Sequence, residues 1–546
     1  MNKIAQYLNE HLLGEVSSDE LTRQRFSNDG SILNITPEYV VHPRVTNDIR
    51  KIARFAWQLA EKGHVLPITI RGGGSNRSGA AIGKGIIVNT YAHLNKTIFI
   101  SFKNKDQFVH VQPGVNFKAL NDTLKSHGFI LPAYPKTAAY SSIGGAVANN
   151  AGGIQSGRYG QTGEWVKRLE IVLANGDLIE TSRINKHDLN KKKGLQTFEG
   201  EIYRKIDGII EDNQQVIYDK IANNEPDNTG YPGISIVKAR DGSFDLSPLI
   251  IGSQGTLAMI SEIVLRTDFY TEEESIIVAT YSNPEVARDS ADAMAALQPS
   301  VLELMDGEMF DIAHKCGKKY IFSDEFVDKD VGSIMFINFN DSNDHLRHKK
   351  EKQALKKLSK FETTIYTSSD YSKEELFAIR EVGSVILESN NKGESMPSII
   401  DGVAIPAARR EEFIASAKEL ANKHHIELPL HIQWLDGVIY ARPTLNLHIV
   451  SDKQKTFKLI SDYMELVAKY GGSMSADSGE GRLRANAAYA HLDEDELDVY
   501  SQIKEAFDPF GILNPGVKQK SELKTLIAAL NPDYSSAEFA QFSPSE

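Results

Sequence analysis

A chain of 546 residues is longer than one hydrophobic core fills, so two or three domains are expected. Hydrophobic residues make up 41% and charged residues 25%, a globular balance with no apolar run long enough to span a bilayer. A net charge of -12 speaks against a nucleic-acid binder, and Cys316, the single cysteine, excludes an internal disulfide and a cysteine-ligated iron–sulfur cluster within the chain.

Residues 1–36 read as an N-terminal extension, a short helix followed by a polar connection through SSDEL and SNDGS. The opening MNKIAQYLNEHLLGEV lacks the apolar region and small-residue cleavage site of a secretory signal, which points to a reducing, cytoplasmic location. A strand begins at YVVHP. RVTNDIRKIARFAWQLAEKG then carries apolar residues at helical spacing, with Thr46 or Asn47 as its cap and Gly63 at its end. The β-branched strand VLPITI runs straight into RGGGSNRSG, and a second strand, GIIVNT, follows. A Rossmann fingerprint needs its glycines between a strand and a helix, and GAAIGKG has no Ser or Thr after Lys84, so both common nucleotide motifs are excluded.

FVHVQPGVNFKALNDTLKSHGFIL reads as strand, turn and amphipathic helix. Next comes SSIGGAVANNAGGIQSGRYG from Ser141, with six glycines, too many for a sound helix; such a run implies special backbone angles or close approach of a ligand. LEIVLANGDLIET follows as two strands joined at an Asn-Gly turn, and PLIIGSQGTLAMISEIVLRT places a third glycine turn between apolar strands. Beyond Phe269 the texture changes to longer strand–helix alternation with a largely antiparallel look, a separate domain over residues 269–470. Within it DHLRHKKEKQALKKLSK, from Asp344, reads as a solvated helix face, with peripheral contact to the inner face of a membrane kept open. AFDPFGILNPGVK closes the segment 471–518, and 519–546 form a polar tail.

The three glycine turns in this order, with the closing FDPFGILNPG, resemble the FAD-binding fold of the vanillyl-alcohol-oxidase and para-cresol-methylhydroxylase superfamily. Within it the chain is most similar to the FAD-linked D-lactate and D-2-hydroxyacid dehydrogenases, including the FAD subunit of glycolate oxidase, over roughly residues 15 to 518. The resemblance implies an α+β fold: a two-subdomain FAD-binding domain of the para-cresol-methylhydroxylase type over 37–268, then an α/β cap, or substrate, domain with a mainly antiparallel sheet over 269–470. Residues 471–518 would return to the flavin.

It also implies FAD as cofactor, its pyrophosphate wrapped by backbone N–H groups of the first two turns. Carried over by position, Gly72, Gly73, Gly74, Ser75, Asn76 and Ser78, with Pro135, Ser142, Gly144, Gly145, Asn150, Gly152 and Gly153, cradle the cofactor. Tyr159 and Gly160 extend this wall, and Ile260 offers backbone to the flavin or adenine. GSQGTL matches a family GSEGTL turn, with Gln254 replacing the acid. Ser75 and Asn76 stand where members with covalently attached flavin carry a histidine, so noncovalent FAD is expected.

The implied activity is transfer of a hydride from a 2-hydroxy acid such as D-lactate to the flavin, while a base takes the hydroxyl proton. The family's GEHGxGR segment aligns with GGSMSADSGEGRLR, which puts Asp477 in place of the glutamate and Ser478 in place of the basic histidine. Its metal motif, GHxGDGNLH, aligns with YARPTLNLH, leaving His448 but placing Ala441 at the other ligand, so no metal ligands are assigned. A rebuilt proton-transfer site is expected from His448, His431 and Asp477, in that order. Arg442 would hold a substrate carboxylate or form an ordinary salt bridge. Arg380 matches the family arginine that helps hold the carboxylate and Asn514 a C-terminal asparagine near the active site, with an ion pair and a turn as their structural alternatives. Tyr440 lines the pocket or belongs to the core. The implied partners are a small carboxylate or alcohol substrate and an electron acceptor, open between a quinone, a cytochrome, an iron–sulfur partner and oxygen. An oxidase of another alcohol or sugar, and a flavin-binding protein without catalysis, are the alternatives.

Overall fold

The computed structural model describes residues 3–102, 107–222, 226–315, 318–323, 331–382, 395–531 and 534. Cys316 and half of the polar tail lie outside the described residues. Three principal sheets carry the fold, as the α+β expectation requires.

The first sheet holds β1 (Glu15–Ser17), β2 (Tyr39–His42), β3 (Ile68–Arg71) and β4 (Ile86–Asn89) in the order β1-β2-β4-β3. β4 pairs in parallel with both neighbours, and its residues are buried throughout, the pattern of a strand covered on both faces. The helix Thr46–Ala60 buries Ile49, Ile52, Ala53, Ala56 and Ala60, the i, i+3/i+4 stripe visible in the sequence. Its N-cap is Val45, which makes no side-chain cap, rather than Thr46 or Asn47. Asp48 in the first turn instead accepts hydrogen bonds from the Leu13, Gly14 and Arg44 amides. These bonds hold the start of the chain against the sheet, where part of the expected polar connection forms β1, antiparallel to β2.

The second sheet, β5 (Thr97–Ser101), β6 (Phe108–Val111), β8 (Val166–Val172), β9 (Leu178–Thr181) and β10 (Met259–Arg266), is antiparallel in the order β5-β6-β10-β8-β9. β7 (Phe129–Ile130) pairs with β11 (Asp268–Phe269) beside it.

The third sheet takes β12 (Ser275–Tyr281), β13 (Val301–Asp306), β14 (Ser333–Phe339), β15 (Thr364–Thr367), β16 (Ile400–Ala404), β17 (Leu430–Gln433) and β18 (Val438–Ala441) in the order β15-β12-β14-β13-β17-β18-β16, antiparallel throughout. The basic helix Asp344–Leu358 buries Arg347, Ala354 and Leu358 and turns most of its lysines outward. Among the described residues no helix is long and apolar enough to cross a membrane.

The C-terminal segment joins the units. Ser473 exchanges backbone hydrogen bonds with Ala404 at the edge of the third sheet, and residues 512–514 run beside β3, with Ile68 N–H donating to the Ile512 carbonyl and Asn514 N–H to the Ile68 carbonyl. The site lies where these strands meet the glycine turns.

Candidate active site

The first two glycine turns face each other. A Cβ on Gly72 would overlap Ser142 Oγ, and one on Gly73 would overlap the Tyr140 carbonyl oxygen, so the two loops approach closely enough to exclude side chains there. Part of the glycine segment forms a helix after all, Ile143–Asn149, seven residues long and opened by Ser142, whose Oγ accepts from the Gly145 amide at 3.1 Å.

Between the turns and the third sheet runs a cleft of about 1050 Å³ counted to its mouth. Its glycine side is lined by Gly72, Gly73, Gly74, Ser75, Asn76, Pro135, Ser142 and Gly145, its far side by Lys136, Asp401, Tyr440, Arg442, Asp477 and Ser478. A second lobe adjoins it and shares Gly72 and Gly145; Gly144 and Ile260 line this lobe. A two-lobed channel walled by backbone amides and small residues fits an elongated dinucleotide with a central pyrophosphate. Gly145 borders both lobes, and a Cβ there would meet only Ser142 Oγ, so a larger side chain would fill the channel itself.

Other residues expected at the cofactor stand elsewhere. Ser78 is buried beneath the first turn and outside the cleft lining. Asn150, in the left-handed region that ends the short helix, spends its amide on Gln161, Asn228 and the Gly163 N–H, and its neighbour Asn149 lines the cleft instead. Gly152 and Gly153 turn their N–H groups to Asp477, at its backbone oxygen (2.9 Å) and Oδ1 (3.0 Å). Tyr159 and Gly160 do not line the cleft, and the Tyr159 carbonyl accepts from Trp165 Nε1.

The candidate catalytic residues divide more sharply. His448 is exposed on the turn before the helix Val450–Lys469, its amide held by Asn446 Oδ1, and it has no part in the cleft lining. It therefore stands apart from the cleft. Asn514 is fully buried: Oδ1 accepts from Thr69 Oγ1, and Nδ2 donates to the Ala80 and Gln254 carbonyls, so it clamps the C-terminal segment to the glycine turns. Arg380 stands behind the cleft, its Nε on Glu303 Oε2 at 2.5 Å. His431, also behind it, faces Glu303 Oε1 at 3.4 Å and the Tyr440 ring at 5.6 Å between centroids. Burial, with Lys136 nearby, lowers the His431 pKa to about 4, so its imidazole is neutral at neutral pH.

Arg442 and Asp477 do line the cleft. Arg442 Nη1 donates to Asp401 Oδ1 at 3.0 Å and to Ser398 Oγ at 3.2 Å. Burial opposes the Asp401 charge, but Arg442, Arg484 and Arg77 outweigh it and hold the carboxyl below its usual range. Burial raises the Asp477 pKa against the opposing pull of Lys136. Among the described residues, no three His, Cys, Asp or Glu side chains form a group able to hold a metal ion.

Lys136, like Arg77, Asn149 and Asp401, is a cleft residue that the sequence reading passed over. Its Nζ lies 3.4 Å from the centre of the Tyr440 ring, buried and with no hydrogen-bond partner among the described residues. The signal was a cationic residue directly after Pro135 at the entry to the second turn. That its amine turns to a pocket depends on β18, some three hundred residues later in the chain.

The FAD binding domain family matches residues 37–182, and the C-terminal domain of the FAD linked oxidases matches residues 271–517, together more than half of the chain. A D-2-hydroxyglutarate dehydrogenase of Haemophilus influenzae is 26% identical over 96% of this chain and 52% of its own length. A D-lactate dehydrogenase of Archaeoglobus fulgidus is 24% identical over 87% of this chain and 90% of its own. The chain thus spans about half the length of the D-2-hydroxyglutarate dehydrogenases it matches. The structure of p-cresol methylhydroxylase with substrate bound superposes with a TM-score of 0.67 at 12% identity, covering 95% of this chain and 96% of that one, a likeness of fold. Paired glycine turns, a two-lobed channel and both family matches lead to one conclusion: the chain belongs to the FAD-linked oxidases and takes FAD as its cofactor.

Proposed function

We propose that the chain is a dehydrogenase that oxidises a D-lactate-like 2-hydroxy acid, with a proton-transfer site rebuilt from that of its relatives. The observation that carries the reading is the polarity of the cleft. Glycine amides line one side, and Arg77, Lys136 and Arg442 bring three cationic side chains to a lining that holds two carboxylates, Asp401 and Asp477, and the Tyr440 ring, so the cations outnumber the acids. A guanidinium presents its donors in a planar fork suited to a carboxylate, which fits an acid substrate better than a neutral alcohol. The names of the relatives, dehydrogenases of D-2-hydroxyglutarate and D-lactate, favour the same substrate class.

Bound FAD would supply the hydride acceptor. The glycine turns at Gly72–Gly74 and Ser142–Gly145 would hold it, and Arg442, fixed by Asp401 and Ser398, would orient the substrate carboxylate. No step is assigned to a metal, since among the described residues no group of side chains makes a site for one.

The test is anaerobic mixing of the FAD-loaded protein with D-lactate and with its methyl ester. The acid is expected to reduce the flavin and the ester to reduce it far more slowly. Equal reduction by both would remove the carboxylate from the reading.

A further inference from the structure

We propose that Lys136 is the group that takes the hydroxyl proton of the substrate, with the Tyr440 ring seating its amine in the cleft. The proposal rests on the 2-hydroxy acid reading above. A buried lysine amine is normally paired or reaches water, because an unpartnered ammonium in a poorly solvated site is costly. Here the ring face at 3.4 Å offers a cation–π contact but accepts no ordinary hydrogen bond, and the amine has no hydrogen-bond partner among the described residues. The same residue lines the cleft. A group left in this state, with a ligand pocket beside it, is arranged to meet the ligand.

Its surroundings come from every element packed around it: Glu303 on β13, Asp401 on β16, His431 on β17, Tyr440 on β18, Arg442 just after it and Asp477 on the C-terminal segment. Burial is the largest influence and lowers the pKa to about 8, against the opposing pull of Glu303 and Asp477. Roughly a tenth of the amine is then neutral at pH 7, and only that form has a lone pair to accept a proton. The rival groups are less well placed. His448 is exposed, His431 lies behind the lining, the Ser478 hydroxyl is too weak a base, and Asp477 Oδ1 already accepts from Gly153.

In the step, the substrate O–H bond breaks and its proton forms a new N–H bond on Lys136, giving the ammonium. The oxygen electron pair forms the C=O bond as the C2–H bond breaks, and that hydrogen leaves with both electrons to FAD. One 2-oxo acid and one two-electron-reduced flavin result. Asp477 and Glu303 stabilise the new ammonium.

Two measurements decide it. In the FAD-free chain, the pH dependence of amine labelling at Lys136, read by peptide mass spectrometry, is expected to titrate near 8. A Lys136 titration above 10 would overturn the proposal. In the FAD-loaded protein, Lys136→Ala is expected to keep its flavin spectrum but slow reduction by at least about 100-fold, with partial rescue by small primary amines. Lys136→Arg, which keeps the charge and gives up the removable proton, should stay slow. The wild-type rate should rise with pH through about 8. Wild-type speed in either variant, or a rate that falls as the lysine deprotonates, would overturn the assignment. A wild-type flavin that no 2-hydroxy acid reduces would overturn the substrate reading itself, a different result from a reducible wild type with an equally reducible variant.

Discussion

Asp477 and Gly153 stand 324 residues apart in sequence, yet the Asp477 carboxylate accepts the Gly153 amide proton across 3.0 Å. With the Gly152 amide on the Asp477 carbonyl, this bond closes the C-terminal segment over the second glycine turn. Gln254 Oε1 accepts from Gly481 N–H on the same segment at 3.0 Å, and the buried Lys518–Glu480 pair at 2.8 Å anchors its far end. The cofactor cleft is therefore closed by contacts distant in sequence.

The close approach of the two turns makes them intolerant of a methyl group. In Gly73→Ala the new Cβ would meet the Tyr140 carbonyl, backbone that cannot swing aside. Overpacking of this kind costs about 1–3 kcal/mol, and roughly 10–100-fold weaker FAD binding is expected. The ratio of flavin to protein absorbance after dialysis measures it; full retention of FAD would show that the turns have slack.

Arg380 pairs with Glu303 where both side chains are almost wholly buried. Removing one partner strands the other charge, so Arg380→Leu is expected to destabilise the chain by about 3–5 kcal/mol in urea unfolding, and Arg380→Leu with Glu303→Gln by less. If Arg380 serves only to hold a substrate, stability will stay near that of the wild type and only KM will move.

Asp436, in the turn between β17 and β18, is close to Ser156 Oγ and accepts from the Val438 amide, and burial pushes its pKa up to about 6. The unfolded chain releases this proton near 3.9, so the folded state binds it more tightly. The stability it contributes is present below about 4 and is lost as pH rises through about 6. Urea unfolding across that window is expected to show a steeper decline for wild type than for Asp436→Asn. Superimposable curves would mean that Asp436 is not so perturbed.

His448 is solvent-exposed and outside the cleft. His448→Ala is therefore expected to leave the rate of flavin reduction unchanged in anaerobic stopped flow. A large loss of rate would return the histidine to the site.

The glycine turns and the sheets were legible because their signals are local: strand, glycine run, strand, and then an antiparallel region of β-branched runs. The site was legible only in part. Asn149 and Asn150 are adjacent, and the left-handed end of a short helix decides which faces the cleft. The alignment put Ala441 and His448 at the two positions of a histidine motif, whereas strand register pairs His431 with Tyr440 across the β17–β18 hairpin. Register is a long-range property that a one-residue slip inverts. Lys136 stayed hidden for the same reason, since its environment is assembled from β13, β16, β17, β18 and the C-terminal segment.

The most direct test is the visible spectrum of the FAD-loaded protein, followed without oxygen as D- and then L-2-hydroxy acids are added. Rapid loss of the flavin band with a D-2-hydroxy acid, and none with the same acid lacking the hydroxyl, is the expected result. A band that persists through the whole series would contradict hydroxy-acid oxidation by this chain.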